Sequence, residues 1–371
     1  MQRLICILLL VFVSLLSSVD NSAKVSTLKV LHIIFRHGQR TTEAKSTLLY
    51  TKNPNKYVKY YPYGYGQLTN QGKRISYALG TWLRRRYDGF LGNVYNPNML
   101  EAVTSSYNRT AATLLLVLAG LFPTKGTILD WNTDLNWQPV FFQSLPLNDI
   151  LLNFPLDICP KFRQLYFKYL NTTEGRKIAM VYKDLTNYVE QNSGLRLRSL
   201  LSVIYVYDVL VTEDEWGLKL PIWTSKLYPN VMNSVFLDGL EAMVATTELK
   251  RYASGFLLEK IIKDTKLVIS NMAVPLEKNV FIYSAHDFNI MFLQILLGAY
   301  TPHRPTYGAC FIIEVHLINN VHGIKIFYRT KSEEEPQPLK IVGCDYYCPF
   351  KKFYKLVKRY LPTKDMNCNL Y

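Results

Sequence analysis

Two short β-branched runs, far apart in the chain, each end abruptly at residues that can do chemistry. Residues 27–35 (TLKVLHIIF) are followed by Arg36 and His37, and residues 280–284 are followed closely by His286. Short runs rich in Val and Ile predict buried strands. Because ligands of open α/β sheets bind outside the carboxyl ends of the strands, both histidines should lie at one edge of one sheet.

The rest of the chain predicts helices around that sheet and one hairpin. Thr69 precedes a helical pattern, and residues 109–121 and 288–297 are apolar on most sides, as buried helices are. Residues 311–329 alternate around Asn319-Asn320, as an antiparallel hairpin does.

From about residue 145 to 250 helical patterns continue without obvious strands. The pattern therefore predicts an α/β fold with a mixed central sheet flanked by helices and a helical second domain inserted. We expect the α/β domain to comprise residues 24–144 and 251–371, and the helical domain residues 145–250.

The segment RHGQR carries the residue types that phosphoryl transfer needs. That reaction requires a nucleophile in line with phosphorus and positive charge around the equatorial oxygens. A neutral imidazole at His37 can attack phosphorus, and the guanidiniums of Arg36 and Arg40 fork onto phosphate oxygens. Gly38 lets the backbone approach closely. Alone, the segment is equally compatible with a chance surface cluster.

A second pair, His286-Asp287, favours a catalytic segment over a chance surface cluster. His286 can donate to a phosphate oxygen, and Asp287 can protonate a leaving alcohol. A lone His-Asp pair at a helix start is also compatible with a helix cap. Because both polar pairs follow predicted strands, the catalytic interpretation is favoured.

Residues 1–23 predict a signal peptide. Arg3 precedes an apolar stretch, residues 4–16, and small residues follow it. The stretch is short for a membrane span, and no second one occurs near the C-terminus. We expect a secreted, extracellular protein, in which the sequons at Asn108 and Asn171 can be glycosylated.

The cysteines suit that compartment. Cys6 lies in the predicted leader, and no spacing forms a zinc pattern. The other five are Cys159, Cys310, Cys344, Cys348 and Cys368. An odd number leaves one thiol free or paired with another chain, and the short spacing of Cys344 and Cys348 suits a local disulfide.

The formal charge of +15 raises the question of an anionic partner. No aromatic-interleaved basic run or nucleic-acid motif occurs, so we expect a solvated basic surface and no nucleic-acid partner.

These segments resemble the histidine acid phosphatase family, in its animal prostatic and lysosomal type. The resemblance rests on RHGxR, the later YSAHD and three further stretches: GQLT with Gly72, WQP at residues 137–139, and GCxxxCP at residues 343–349. It extends from about Leu28 to Cys368.

The resemblance implies a mechanism, and it implies a homodimer, which members of this family often form. His37 would become a phosphohistidine, Arg36, Arg40 and His286 would hold the phosphate, and Asp287 would protonate the leaving oxygen. No metal or other cofactor is implied.

The resemblance also implies a disulfide pattern. It pairs Cys159 with Cys368 and Cys344 with Cys348. The usual partner of Cys310 is absent, so Cys310 is the odd thiol.

The chain departs from the family in a segment that usually reads RSTDxxRT and carries a third phosphate arginine. Residues 103–110 read VTSSYNRT, and Val103 is placed at the arginine's position. Losing one preorganised donor costs on the order of 10²- to 10³-fold in rate, which predicts a slow or inactive site. Gln39 and Thr42 are milder departures.

The leading hypothesis is an acid phosphatase acting on small phosphomonoesters or phosphotyrosine. The alternative is a catalytically impaired or inactive secreted homologue that keeps the fold and binds anions. A phosphoglycerate mutase shares the RHG element but suits a chain without a signal peptide, and a phytase is disfavoured because the remaining stretches resemble the animal type.

Overall fold

The computed structural model describes residues 27–197, 199–270, 278–331 and 334–368. The predicted signal peptide, residues 1–23, lies outside the described residues. Within them, no helix is both long and apolar enough to cross a membrane.

An eight-stranded sheet forms the centre of the fold. Its strands are β1 (Leu28–Arg36), β2 (Leu100–Thr104), β3 (Gln143–Ser144), β4 (Val280–Ala285), β5 (Cys310–Ile318), β6 (Val321–Arg329), β7 (Gln337–Leu339) and β8 (Cys348–Pro349). The order is β3-β2-β4-β1-β5-β6-β7, with β8 on β6. The first four are mutually parallel and the others pair antiparallel, so the predicted mixed sheet is confirmed.

The helices follow the strands in chain order. They are α1 (Ala44–Leu49), α2 (Asn70–Arg86), α3 (Asp88–Leu91), α4 (Asn108–Leu121), α5 (Pro155–Ile158), α6 (Pro160–Leu170), α7 (Thr173–Val181), α8 (Lys183–Ser193), α9 (Leu200–Glu215), α10 (Asn230–Ala242), α11 (Thr247–Lys250), α12 (Phe256–Ile269), α13 (Asp287–Leu297) and α14 (Phe350–Val357). A π-helical turn, Arg251–Gly255, joins α11 to α12.

Strand β1 is apolar on both faces because each face packs against helices. Leu31 and Ile33 contribute to one core cluster with residues of α2 and α4. Val30 and Ile34 contribute to another with residues of α12, α13 and α14. Each fully buried aliphatic side chain stabilises the fold by about 1.5–3 kcal/mol. The continuous apolar run that predicted β1 thus follows from burial on two sides.

Two local predictions agree with the structure. Thr69 caps α2, and its hydroxyl accepts from the Gly72 amide at 3.1 Å. Asn319 and Asn320 have φ values of 50° and 58° between β5 and β6. Two successive residues with positive φ are what a tight hairpin turn requires, and Asn tolerates that conformation.

The described part of the chain between β3 and α12 forms helices and no strand. These helices enclose a third core cluster, which includes Phe162, Val206 and Val235. The cluster also takes in Phe288 and Phe292 of α13, so the helical segment packs directly on the helix that begins at Asp287. The domain boundaries at residues 145 and 250 stay a prediction.

The cysteines pair as the resemblance implied. Disulfides join Cys159 to Cys368 and Cys344 to Cys348, and Cys310 is free and buried at the start of β5. Burial raises the pKa of the Cys310 thiol to about 12, which keeps it protonated.

Among the cysteines of the described residues we therefore expect one reactive thiol, and only after unfolding. A thiol reagent should modify none in the native protein and one in denaturant, and peptide mapping should locate it at Cys310. Finding Cys310 bonded to Cys159 would contradict this pairing.

Candidate active site

The carboxyl ends of three parallel strands converge on one site, as the strand pattern predicted. His37 follows β1, Ser105 follows β2 and His286 follows β4. The His37 amide donates to the Ala285 carbonyl at 3.0 Å, and the Ser105 amide donates to the Ser284 carbonyl at 3.2 Å. The rings of His37 and His286 lie 5.4 Å apart, edge to face.

His37 is held as a neutral imidazole with one nitrogen free. It is 3% exposed, and its Nδ1 lies 2.8 Å from the Gly38 carbonyl oxygen. A carbonyl only accepts, so Nδ1 carries the proton and Nε2 keeps its lone pair. Burial lowers the pKa of His37 well below its usual value, and Arg109, His286 and Arg36 lower it further.

Gly38 fixes the backbone after His37 by close packing. A Cβ at this position would lie 2.4 Å from the carbonyl oxygen of Gly72, in the first turn of α2. The Gly38 amide donates to Thr113 of α4 at 3.1 Å. Helices α2 and α4 thus hold the segment that carries His37.

Three arginines surround His37. Arg36 donates to the Pro305 carbonyl at 2.6 Å and stacks on the Tyr307 ring at 4.1 Å. Arg40 donates to Asp208 at 2.7 Å, and Arg109 pairs with Glu43. In each of the three, Nε is buried without a hydrogen-bond partner among the described residues. These buried donors suit an oxyanion ligand.

Val103 lies in the apolar core beside the site. It is 2% exposed and belongs to one core cluster with Ile34 and Tyr283. Val103 and Ile34 both lie opposite Tyr283 in the sheet, on the face that carries Arg36 two residues later. Arg109, the retained arginine of the same segment, places a guanidinium beside His286. The low activity expected from Val103 stays a prediction.

His286 is both a helix cap and a site residue. It is the N-cap of α13, and its amide donates to Asn289 Oδ1 at 3.0 Å. Its ring contacts Ser105 Oγ at 2.9 Å through Nε2 and Arg109 at 3.5 Å through Nδ1. Burial and Arg109 lower its pKa well below the usual value, so the ring is neutral. Because Arg109 can only donate, Nδ1 is the acceptor and Nε2 carries the proton, which it donates to Ser105 Oγ.

Asp287 lies between two arginines. Its Oδ2 accepts from Arg304 Nε at 2.9 Å and pairs with Arg36 at 3.1 Å. Burial alone would raise the pKa of Asp287, but Arg36 and Arg304 outweigh it and hold the pKa below its usual range. Without a ligand, Asp287 is therefore a carboxylate, whereas a general acid must carry a proton.

Arg304 connects Asp287 to the helical segment. Its Nη2 donates to Asp208 of α9 at 2.9 Å, and Asp208 also accepts from Arg40. Burial would raise the pKa of Asp208, but Arg40 and Arg304 lower it to about 2. Arg304 and Asp208 were not predicted from the sequence, because neither lies in a recognisable motif and only the tertiary fold brings them together.

Comparisons with known proteins identify relatives along most of the chain. The chain is 33% identical over 341 residues to the venom acid phosphatase of Apis mellifera, covering 91% of this chain and 86% of that one. It is 31% identical over 358 residues to the prostatic acid phosphatase of Rattus norvegicus, covering 95% and 91%.

A solved structure shares the fold. The Hafnia alvei phytase in complex with tartrate superimposes with a TM-score of 0.68 at 16% identity, covering 93% of this chain and 99% of the phytase. The family described as histidine phosphatase superfamily (branch 2) matches residues 27–329. With acid phosphatases as relatives and a histidine-centred site at the sheet edge, the chain belongs to branch 2 of the histidine phosphatase superfamily.

Proposed function

We propose that this chain is a secreted acid phosphatase that hydrolyses phosphomonoesters through a phosphohistidine at His37. The observation that carries the proposal is a buried, neutral His37 with a free Nε2 among Arg36, Arg40 and Arg109. A neutral imidazole is the nucleophilic form, and three guanidiniums match the charge on the equatorial oxygens of phosphate.

The proposed reaction has two displacements. His37 Nε2 attacks phosphorus, the P–O bond to the leaving group breaks, and the leaving oxygen takes a proton from Asp287. Water then attacks the phosphohistidine and passes a proton to the Asp287 carboxylate, and the P–N bond breaks to release phosphate and free His37. Asp287 thus ends the cycle protonated, as it began.

Asp287 must be protonated before the first step. A bound phosphate draws on the positive charge of Arg36, which weakens one of the two interactions that keep Asp287 ionised. Acid solution favours the same protonation. His37 remains neutral there because its own pKa is depressed. Both conditions are met together only at acid pH.

Arg304 should therefore set the upper end of the pH range. Above the pKa of Asp287 in the substrate complex, kcat for an alkyl phosphate, whose alkoxide is a poor leaving group, should fall as pH rises. Arg304→Gln removes one cation beside Asp287, which raises its pKa and moves this fall to higher pH. The measurement is a pH profile of kcat, and Arg304→Lys should restore much of the wild-type profile by keeping the charge.

An unchanged profile in folded Arg304→Gln would contradict this positioning role. A rate maximum above neutrality in the wild type would contradict Asp287 as the proton donor.

The hypothesis of an impaired or inactive homologue rested on Val103 and Thr42, and the acid phosphatases among the relatives do not favour it. Secretion is supported by the two disulfides, which form in oxidising compartments. The substrate we propose is a small phosphomonoester or a phosphotyrosine, and a homodimer stays an expectation from the resemblance.

An assay of the purified protein with a chromogenic phosphomonoester in mild acid tests the proposal. Steady turnover with release of inorganic phosphate supports it. Inorganic phosphate binding without turnover would favour the inactive homologue.

A further inference from the structure

A glycosylation sequon overlaps the active site. In Asn108-Arg109-Thr110, the middle residue is the buried arginine that pairs with Glu43. Its neighbour Asn108 is exposed at the first position of α4, and its side chain makes no hydrogen bond among the described residues. The same three residues thus present one side chain to the catalytic site and another to solvent.

Asn108 is exposed and is flanked in the chain by two residues of the site, Tyr107 and Arg109, so we call its position the rim of the site. The preceding residue, Tyr107, packs its ring against Arg109 at 4.2 Å and against the His286 ring at 5.3 Å. The His286 ring in turn lies 5.4 Å from that of His37. The ring of His286 therefore connects His37 to Tyr107, the residue that precedes Asn108.

The folded chain no longer exposes the whole sequon to a glycosylating enzyme. Thr110 is fully buried, and its hydroxyl bonds to Ser105 Oγ at 2.8 Å and to the Tyr107 carbonyl at 2.7 Å. A glycan must therefore be attached before this segment folds, during synthesis on the secretory route. Asn108 remains exposed afterwards, so the folded protein can carry it.

We propose that Asn108 carries an N-linked glycan on the active-site rim, and that this glycan restricts the enzyme to small phosphomonoesters. The inference rests on the proposed phosphatase function and secretory route. His37 is 3% exposed, so a phosphate on a folded protein can reach it only if that protein's surface meets the rim. A bulky glycan there blocks such an approach, whereas a free small ester passes beside it.

Asn171 provides a matched control. It is the second sequon, directly after α6 in the helical segment, and its amide donates to the Phe167 carbonyl at 3.1 Å. That hydrogen bond keeps the Asn171 side chain at the end of α6 and involves none of the site residues. A glycan at Asn171 should add the same bulk and polarity without affecting the rim.

The experiment compares wild type, Asn108→Gln and Asn171→Gln, each secreted from eukaryotic cells. Mass spectrometry of glycosidase-treated peptides reports occupancy at each asparagine. Activity is measured on phenyl phosphate and on a folded protein carrying one phosphotyrosine, which share the same aryl ester. His37→Ala is also introduced into each of the three forms. The affinity of these inactive proteins for the phosphoprotein is then compared without turnover.

We expect Asn108 to be occupied in the wild type. In Asn108→Gln the ratio of phosphoprotein to phenyl phosphate kcat/KM should rise roughly tenfold, within the range over which association rates vary among forms of one interface. Phenyl phosphate turnover should not change, and Asn171→Gln should keep the wild-type ratio.

An unmodified Asn108, or a ratio that Asn108→Gln leaves unchanged, would overturn the inference while leaving the phosphatase function in place. If no form hydrolyses phenyl phosphate, the proposed function fails instead. The binding comparison still tests the glycan in that case. Equal affinity of the His37→Ala proteins for the phosphoprotein, with and without Asn108→Gln, would show that the glycan does not block its approach.

Discussion

His37→Ala is expected to abolish turnover of phosphomonoesters, with a loss on the order of 10⁴-fold or more, because no other group can form the covalent intermediate. Nε2 of His37 has a free lone pair in the centre of three guanidiniums, and alanine leaves that position empty. Phosphate binding should survive, since Arg36, Arg40 and Arg109 remain. The measurements are kcat on phenyl phosphate and the yield of labelled phosphoenzyme after an alkaline detergent quench, which preserves phosphohistidine.

His322→Ala is the control for that experiment. His322 lies in β6 beside the β5–β6 turn, and it pairs with Leu317 at the end of the sheet opposite the site. It should retain wild-type turnover and phosphoenzyme yield. Substantial turnover in a folded His37→Ala protein, or a labelled phosphoenzyme that persists in it, would exclude His37 as the nucleophile.

The parts of the site that could be predicted from sequence are those that follow buried strands. In β1 and β4 the apolar runs, the abrupt stop and the following histidine are all local features. Parallel pairing of the two strands then brings Arg36 opposite Ala285. Local pattern plus one topological rule was therefore sufficient to place His37 near His286.

The sequence could not reveal interactions that depend on distant packing. Arg304 lies in the connection between α13 and β5, and Asp208 lies in a helix of the inserted segment. Their ion pair joins residues 96 positions apart. It changes the expected protonation of Asp287, which the isolated His-Asp pair gave no means to foresee.

The role of position 103 stays a prediction. Successive side chains of a strand point to opposite faces, and Val103 lies beside Tyr283 and Ile34 on the face that carries Arg36. The sequence pattern predicted the strand and its burial, whereas what an arginine at that position would contact depends on the packing around it.

Arg109→Ala is expected to lower kcat by on the order of 10²- to 10³-fold, as removal of one preorganised donor from a charge-stabilising site does. The transition state spreads charge over three equatorial oxygens, so the loss should exceed the effect on phosphate binding. Arg109→Lys keeps the charge but loses the paired donors of the guanidinium, so its kcat should lie between those of the wild type and Arg109→Ala. Arg84→Ala, which removes a partly buried arginine paired with Asp88, is the control and should retain wild-type kcat.

Val103→Arg tests, in the same assay, whether Val103 replaces an arginine that the site needs. An arginine there would bury a charge among Ile34, Tyr283 and their apolar neighbours, where an uncompensated charge costs about 3–5 kcal/mol. We therefore expect a lower midpoint in denaturant and no gain in kcat for the protein that remains folded. A folded Val103→Arg protein with raised kcat would contradict this expectation and show that position 103 faces the phosphate. A lower kcat in Arg109→Ala is compatible with either result, because the family segment carries both arginines, so kcat of Val103→Arg alone decides whether position 103 can complete the site.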